Sequence, residues 1–251
     1  APPRRSPAFV MPKAKDDRPI YGNGPILQVK DRVWAVEGLF VMPMMPLSSF
    51  ALKRTMAIVK MSDQTLIVFQ PIRLTPDTQD ELDKLGTISH IVTLGSGHGS
   101  DVPFYQSRYP HAKVWMPPDL AESSPPSLEI WRIPGNGKEI DYLCYVPSAK
   151  LLVSCDAVQN YVPECMSSGG CKMSCGGKWM FPMMGFKGEL ITPPMFFKLF
   201  GVDKKAMLAL YAEVMTRDFD TIICGHGPPA TGHVKDRWST ALAANANLKG
   251  V

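Results

Sequence analysis

Histidines and cysteines are the side chains of this sequence that could bind a metal ion or act as nucleophiles. The chain has 5 histidines and 6 cysteines among 251 residues. His98 and His226 each lie in a glycine-rich loop, Gly95–Gly99 and Gly225–Pro229, that follows a short apolar run. Three further histidines have no ligand-type spacing to a neighbour, and we expect them in a strand, a surface turn and a helix: His90, His111 and His233. No G-x-S-x-G sequence is present, which argues against a serine nucleophile of the α/β-hydrolase type.

The densest cysteine group is formed by Cys165, Cys171 and Cys175, in a stretch that several glycines make pliable. Its spacing matches no common C-x2-C pair, and three thiolates lack an obvious fourth ligand, which argues against a zinc or iron–sulfur site. A disulfide within this stretch, or free thiols, is favoured instead. Six cysteines in 251 residues are too few for a disulfide scaffold, so they leave the compartment open.

Composition and charge exclude several classes of protein. The chain is 45% hydrophobic and 20% charged, values that exclude intrinsic disorder, collagen and coiled coil. Of the net charge of +4, residues 1–20 carry +3, from five basic and two acidic side chains, and the other 231 residues carry +1. A nearly neutral body argues against nucleic acid as the main partner, because phosphate binding needs a clustered basic face. No run of 18 apolar residues is present, so no membrane-spanning helix is predicted.

The elements that must position the loop histidines read as a layered α/β domain. An extended arm, residues 1–24, precedes two hairpins, Ile26–Lys30 with Val33–Glu37 and Thr55–Met61 with Gln64–Phe69. Further strands are expected at Ile88–Leu94, Lys113–Met116, Leu128–Ile133, Glu139–Val146, Leu151–Ser154 and Thr221–Cys224. Helices are expected over Pro76–Leu85 after Thr75, over 101–109, after the cap Asp203 and over Thr231–Leu248. Hairpins followed by mixed strands and helices predict two sheets with helices outside, in one domain at 25–251.

Four landmarks along the chain resemble the metallo-β-lactamase fold in their order. They are the strand Ile88–Leu94 with its His98 loop, Ile133-Pro134-Gly135-Asn136, Leu151 to Asp156, and Ile223-Cys224-Gly225-His226-Gly227. These segments are similar to that superfamily's H-x-H-x-D-H loop, P-G-H turn, G-D strand end and final P-G-H-G loop. The resemblance covers roughly residues 26–248 without 160–201, and it implies a four-layer αββα sandwich.

The front half resembles a divergent, uncharacterised branch of that superfamily found in cyanobacteria, plants and algae. The similar segments are Val41-Met42-Pro43, Lys53 to Val59, Pro71 to Pro76 and Tyr109 to Lys113. The spread of this branch through photosynthetic lineages implies a plastid location and a membrane-associated, photosynthetic assembly as host.

The resemblance also implies which residues could hold a metal ion. In the best register, His98 stands where the family has Asp, while Asp156 and His226 match the family pattern. The family's other four ligand positions hold different residues, Leu94, Ser96, Gly99 and Asn136, the last a lost ligand position. Three groups cannot hold two ions, but three protein ligands and water are the usual catalytic zinc site. If a cofactor is bound, it is one zinc or iron ion, with Cys224 as a further candidate ligand. The alternative is that no ion is bound, and that Asp156 and His226 are inherited loop residues whose side chains hydrogen-bond to the backbone.

Two apolar clusters have no place in that chemistry. Both lie within the loop expected at 160–201: Met180, Phe181, Met183, Met184 and Phe186 form one, and Phe196 and Phe197 belong to the other. The segment Leu39–Leu47, with Met42, Met44 and Met45, could extend the same patch. Such clusters either cover the core beneath a long loop or form an interface for a protein partner, a membrane surface or a pigment.

Two functions follow from these expectations. The residues favour a non-catalytic binding or structural subunit on a degenerate metallo-β-lactamase fold, with protein partners in a larger assembly. The alternative is a mononuclear metal-dependent hydrolase that uses His98, Asp156 and His226. In that case Ser96 or Asn136 would orient the substrate or stabilise an oxyanion.

Overall fold

The structure is a computed structural model that describes residues 20–45, 48–125, 127–137, 139–162, 183, 185–248 and 250. Residues 1–19 of the predicted arm and Cys165, Cys171, Cys175, Met180, Phe181 and Met184 lie outside the described residues, and for Met42, Met44 and Met45 only the backbone is described. The end of the predicted arm pairs with a strand: the Gly24 N–H donates to the Glu37 carbonyl at 2.8 Å, and the Leu39 N–H donates to the Gly22 carbonyl at 3.1 Å.

The first sheet contains six strands in sequence order. They are β1 Leu27–Lys30, β2 Val33–Met45, β3 Ser48–Lys60, β4 Leu66–Phe69, β5 Ile88–Val92 and β6 Lys113–Trp115. Neighbours from β1 to β4 are antiparallel, whereas β4, β5 and β6 run parallel. Both predicted hairpins are confirmed, although β2 and β3 extend well beyond the predicted bounds.

The second sheet has the order β13-β12-β9-β8-β7, and β9 and β12 run parallel within it. Its strands are β7 Glu129–Arg132, β8 Tyr142–Val146, β9 Leu151–Ser154, β12 Thr221–Cys224 and β13 Ala230–Thr231. A separate antiparallel pair is formed by β10 Gln159–Tyr161 and β11 Gly188–Ile191. The predicted bounds of β9 and β12 are confirmed, since each is a run of four buried residues.

Alternation along the strands divides the interior into three apolar cores, which gives the predicted four-layer αββα sandwich. Ala57 and Val59 pack between the sheets against residues such as Val153, and their neighbour Ile58 faces the opposite way. The outer cores lie under the helices, whose bounds are α1 Pro76–Leu85, α2 Val102–Arg108, α3 Pro117–Leu120, α4 Pro194–Leu199, α5 Lys204–Met215 and α6 Val234–Ala244. Leu82 and Tyr105 bury α1 and α2 on the first sheet, and Tyr211 and Trp238 bury α5 and α6 on the second.

Helix ends follow the predicted capping in part. The Asp203 carboxylate accepts the Ala206 N–H at 3.0 Å and starts α5, as predicted. Thr75 stands before α1, but its hydroxyl contacts the Thr78 hydroxyl at 3.0 Å instead of a helix N–H. The last helix begins at Val234 and not at Thr231, because Ala230–Thr231 pairs with β12.

The expectation of one continuous loop at 160–201 is wrong, because β11 and α4 lie within it. Phe196 is 3% exposed and stacks on Phe200 at 4.2 Å between ring centroids, so it belongs to the core and not to an interface. Its position four residues before Phe200 places both rings on one helix face. Phe197 packs at the edge of the same core, Phe186 packs edge-to-face on Tyr161, and Met183 is 86% exposed. Over the described part of the chain, no helix combines the length and apolar character needed to cross a membrane.

Candidate metal site

Three strand ends bring His98, Asp156 and His226 together at one end of the sandwich. His98 closes the short 3-10 turn Ser96–His98 after β5, Asp156 follows β9, and His226 follows β12. One ligand atom from each residue lies within 4.8 Å of the others. His98 and His226 are 4% and 6% exposed, whereas the Asp156 side chain is 21% exposed. The three predicted ligands therefore meet in a largely buried position, and Asp156 is the most exposed of them.

Asp156 Oδ1 faces both imidazoles. It lies 3.4 Å from His98 Nε2 and 3.3 Å from His226 Nε2, and the two rings meet edge to face with centroids 5.0 Å apart. Ligand atoms at about 2.0–2.2 Å from a tetrahedral zinc ion are separated from one another by roughly 3.3–3.5 Å. The two oxygen–nitrogen distances fit that arrangement.

His226 is fixed by the backbone of β3. Its Nδ1 lies 2.7 Å from the Lys53 carbonyl oxygen, and because a carbonyl can only accept, Nδ1 carries a proton. In a neutral His226 ring, Nε2 therefore presents its lone pair to the Asp156 carboxylate. Two lone pairs at 3.3 Å repel each other unless a proton or a cation lies between them, and a carbonyl-anchored imidazole is the usual form of a metal-ligating histidine.

Asp156 is held by two neighbours. Gln159 donates its amide Nε2 to Asp156 Oδ1 at 3.0 Å, and Asp141 accepts the backbone N–H of Asp156 at 2.9 Å and that of Ala157 at 2.7 Å. Burial raises the pKa of Asp156, but its interactions with the adjacent His98 and His226 imidazoles outweigh this effect and hold that pKa well below its usual range. Burial and the adjacent Asp156 raise the pKa of Asp141, against the effect of its three backbone N–H donors.

His98 is positioned differently from His226. Its Nδ1 is buried and has no hydrogen-bond partner within the described part of the chain. Burial, and then the nearby Arg54 charge, lower the pKa of His98 to about 4, so the ring is neutral at physiological pH. Arg54 is itself only 2% exposed, and its guanidinium donates from Nη2 to the His98 carbonyl at 2.7 Å. A neutral imidazole is the form that binds a metal ion.

Glycines allow the three loops to approach each other. Gly227 has φ +95°, and a Cβ there would overlap the Asn160 carbonyl oxygen. A Cβ on Gly225 would lie 3.0 Å from His98 Cε1 and 3.1 Å from the Cys155 carbonyl oxygen. The His226 loop can therefore pack against both other ligand loops only because glycine occupies these positions.

The family's remaining ligand positions lie apart from this cluster. Leu94 is buried in the core between the sheets, Ser96 donates its hydroxyl to Glu139, and Gly99 lies against Met116. Asn136 packs beside Gly201, whose carbonyl accepts its N–H at 3.2 Å. The suggestion that Cys224 joins the ligands is wrong, because its side chain is buried in the core between the second sheet and its helices.

Two of the three histidines outside the cluster lie where expected, whereas His233 precedes α6 as its cap residue, at φ +48°, and is not part of the helix. His90 lies in β5 and stacks on Trp115 with centroids 6.2 Å apart, His111 is exposed, and the side chain of His233 is 90% exposed.

Sequence reasoning missed the residues that hold the ligands: Lys53 through its carbonyl, Arg54, Asp141 and Gln159. The sequence carried part of this signal. Lys53 and Arg54 stand next to an apolar strand segment, and Asp141 stands at the start of another. Charged groups at such positions need partners if they are buried. Lys53 and Arg54 are each 2% exposed and Asp141 is 1% exposed. The identity of their partners, however, follows from tertiary contacts alone.

Comparison with solved structures identifies the fold. DIM-1 metallo-β-lactamase exposed to ceftazidime matches with a TM-score of 0.51 and 14% identity, over 91% of this chain and 100% of that one. TMB-1 matches at 0.50 and 13% identity, over 89% and 99%. A metallo-β-lactamase from Hirschia baltica matches at 0.52 and 10% identity, over 86% and 97%. No protein-family model and no curated protein matches the chain.

The chain therefore has the metallo-β-lactamase-like fold, which its resemblance to that superfamily implied. Within that fold, His98, Asp156 and His226 form a group that could hold a metal ion.

Proposed function

We propose that this chain binds one divalent metal ion through His98, Asp156 and His226 and acts as a mononuclear metal-dependent hydrolase. The observation that carries the proposal is the position of Asp156 Oδ1 between two imidazole Nε2 atoms, at 3.4 and 3.3 Å. Two imidazoles and one carboxylate are a donor set for zinc in hydrolases and for non-haem iron, so zinc and Fe(II) are the first ions to test.

The surrounding residues fit an ion better than a purely structural hydrogen-bond cluster. The Lys53 carbonyl sets the tautomer of His226, and burial keeps His98 neutral. If His226 is neutral as well, the Asp156 carboxylate faces nitrogen atoms that carry at most one proton between them. A cation at this place would satisfy all three groups at once, because each would offer it a lone pair.

A bound divalent ion would supply Lewis-acid activation of water and polarisation of the bond to be cleaved. The chain's own residues would orient the reacting groups. Asp156 is the ligand that reaches solvent, so water and substrate would approach on its side. Gln159 keeps the carboxylate oriented through Nε2, while its buried Oε1 has no hydrogen-bond partner among the described residues. Ser96 is already occupied by Glu139 and the Ile140 carbonyl, which argues against it as an oxyanion donor.

The test begins with metal content, measured by elemental analysis of chain purified without chelator. We expect about one zinc or iron per chain in the wild type and in His233→Ala, and a loss of the metal in His226→Ala and Asp156→Asn. His233→Ala is the matched control, because that histidine is 90% exposed. Hydrolysis of ester, amide and phosphodiester reporters would then be measured on the same four proteins.

The outcomes separate the two functions. Metal and turnover that disappear together in His226→Ala and Asp156→Asn would support the hydrolase. A metal-free wild type recovered within a larger assembly would contradict the hydrolase and favour the non-catalytic subunit.

A further inference from the structure

The two imidazoles of the site differ in how they are held. His226 is anchored at its own ring by the Lys53 carbonyl, 2.7 Å from Nδ1. The ring of His98 has no equivalent, because its buried Nδ1 has no partner among the described residues. The direction of the His98 ring must therefore be set through its backbone and by the groups packed around it.

The backbone of the His98 turn is held by one buried side chain from β3. Arg54 donates from Nη2 to the His98 carbonyl at 2.7 Å and from Nη1 to the Ser100 hydroxyl at 3.2 Å. A guanidinium is planar and carries its donors in a fixed fork, so two contacts from one side chain define both the position and the tilt of the turn. Arg54 also lies over the Phe40 ring, 5.5 Å from its centroid, and is 2% exposed.

The neighbours of Arg54 in β3 hold the other histidine loop. The Lys53 carbonyl accepts from His226, the Thr55 N–H donates to the Gly225 carbonyl at 2.9 Å, and the Thr55 hydroxyl donates to the Gly227 carbonyl at 2.7 Å. The tripeptide Lys53-Arg54-Thr55 contains no metal ligand but contacts both histidine loops. Among the contacts given above, those to the His98 turn come from the Arg54 side chain. Both histidine loops are therefore held by the same strand, β3.

We infer that Arg54 is a positioning residue that holds His98 in the geometry needed to bind the metal ion together with Asp156 and His226. The inference rests on the proposed metal site, but it concerns the chain's own arrangement. Arg54→Lys retains a cation beside Phe40 and loses the fork, so it removes the positioning and keeps the charge.

The experiment measures zinc affinity by competition with a chromophoric chelator, together with amide hydrogen exchange of the metal-free chain over residues 96–100. The variants are Arg54→Lys and Ser100→Ala, with Tyr145→Phe as control, because Tyr145 donates to the Asp218 carbonyl elsewhere on the second sheet. We expect Arg54→Lys to weaken zinc binding about 10- to 100-fold, the range measured for residues that orient metal ligands. The same variant should speed exchange in the 96–100 turn at least tenfold, and Tyr145→Phe should change neither quantity.

Each outcome has a consequence. Unchanged affinity in folded Arg54→Lys, or an equal loss in Tyr145→Phe, would overturn the inference, because the effect would then be absent or merely one of general stability. If Arg54→Lys fails to fold, Ser100→Ala decides: a severalfold loss supports the inference and wild-type affinity overturns it. A wild type that binds no zinc or Fe(II) would overturn the proposed function. The exchange rates of the metal-free chain would still show whether Arg54 holds the 96–100 turn in place.

Discussion

His98 and His226 have the same side chain and opposite means of support. His226 is held at its ring by a carbonyl, and His98 is held at its carbonyl by a guanidinium. This arrangement lowers the pKa of His98, because a buried imidazole beside a buried cation takes up a proton less readily. Burial and the Arg54 charge are both features of the folded chain, so His98 is held neutral whether or not an ion is bound.

The lowered pKa of His98 predicts how the stability of the metal-free chain depends on pH. The folded pKa of about 4 lies below the ordinary value of 6.5, so the unfolded chain binds more protons between these two values. Stability is therefore fully present above pH 6.5 and falls as the pH is lowered towards 4, by about 3 kcal/mol in total from this residue.

Urea unfolding of the chelator-treated chain between pH 7.5 and 4.5 would measure this loss. We expect His98→Asn to show a markedly flatter dependence than the wild type over that range. His233→Asn serves as the control and should follow the wild type, because His233 is exposed. Equal slopes in all three proteins would show that His98 is not held neutral by the fold.

At the scale of the elements, the conformation of the His226 loop requires glycine at a particular position. Gly227 and Gly232 both have positive φ, +95° and +69°, but only at Gly227 would a Cβ overlap another segment, the Asn160 carbonyl. Gly232→Ala should therefore cost about 1–2 kcal/mol of unfolding free energy from backbone strain alone. Gly227→Ala adds steric overlap and should cost about 4 kcal/mol.

Chemical denaturation of the two variants measures both values in one series. The difference between them isolates the close approach of the His226 loop to β10, since the backbone strain is common to both. Equal losses would contradict the described packing of Gly227 on Asn160.

Elements with a strong local pattern could be predicted, and those that depend on distant partners could not. Runs of three apolar residues beside one small polar residue fixed the bounds of β9 and β12, and Pro76 with the acidic first turn fixed α1. The strand β10 was missed because Gln159-Asn160-Tyr161 carries no apolar alternation. For the site, the ligands were found by resemblance to a family.

The supports of the ligands were beyond reach from sequence. Lys53 lies 173 positions from His226, and Arg54 lies 44 positions from His98. Local pattern says nothing about such pairs, because no spacing rule connects residues that meet only after the two sheets pack. The plastid location, the pigment or membrane contact and the protein partners stay predictions.

At the scale of the whole molecule, a bound ion should raise thermal stability. A ligand that binds only the folded state at 100 times its dissociation constant adds about 2.7 kcal/mol, which for a chain of this size corresponds to a rise in Tm of about 5–10 °C. Differential scanning calorimetry with zinc or Fe(II), and again after chelation, would measure the shift. Asp156→Asn should show none, whereas a shift of equal size in that variant would place the ion elsewhere on the chain.

The ligands come from both sheets: His98 follows β5 of the first, and Asp156 and His226 follow β9 and β12 of the second. An ion shared by them would close two long chain segments into rings, between positions 98 and 156 and between 156 and 226. Such a closure restricts the unfolded chain much as a disulfide does, and the restriction is greatest for long loops. The ion would then act as a crosslink in a protein whose described cysteines are all free. The rate at which the ion dissociates would limit the rate at which the two sheets separate.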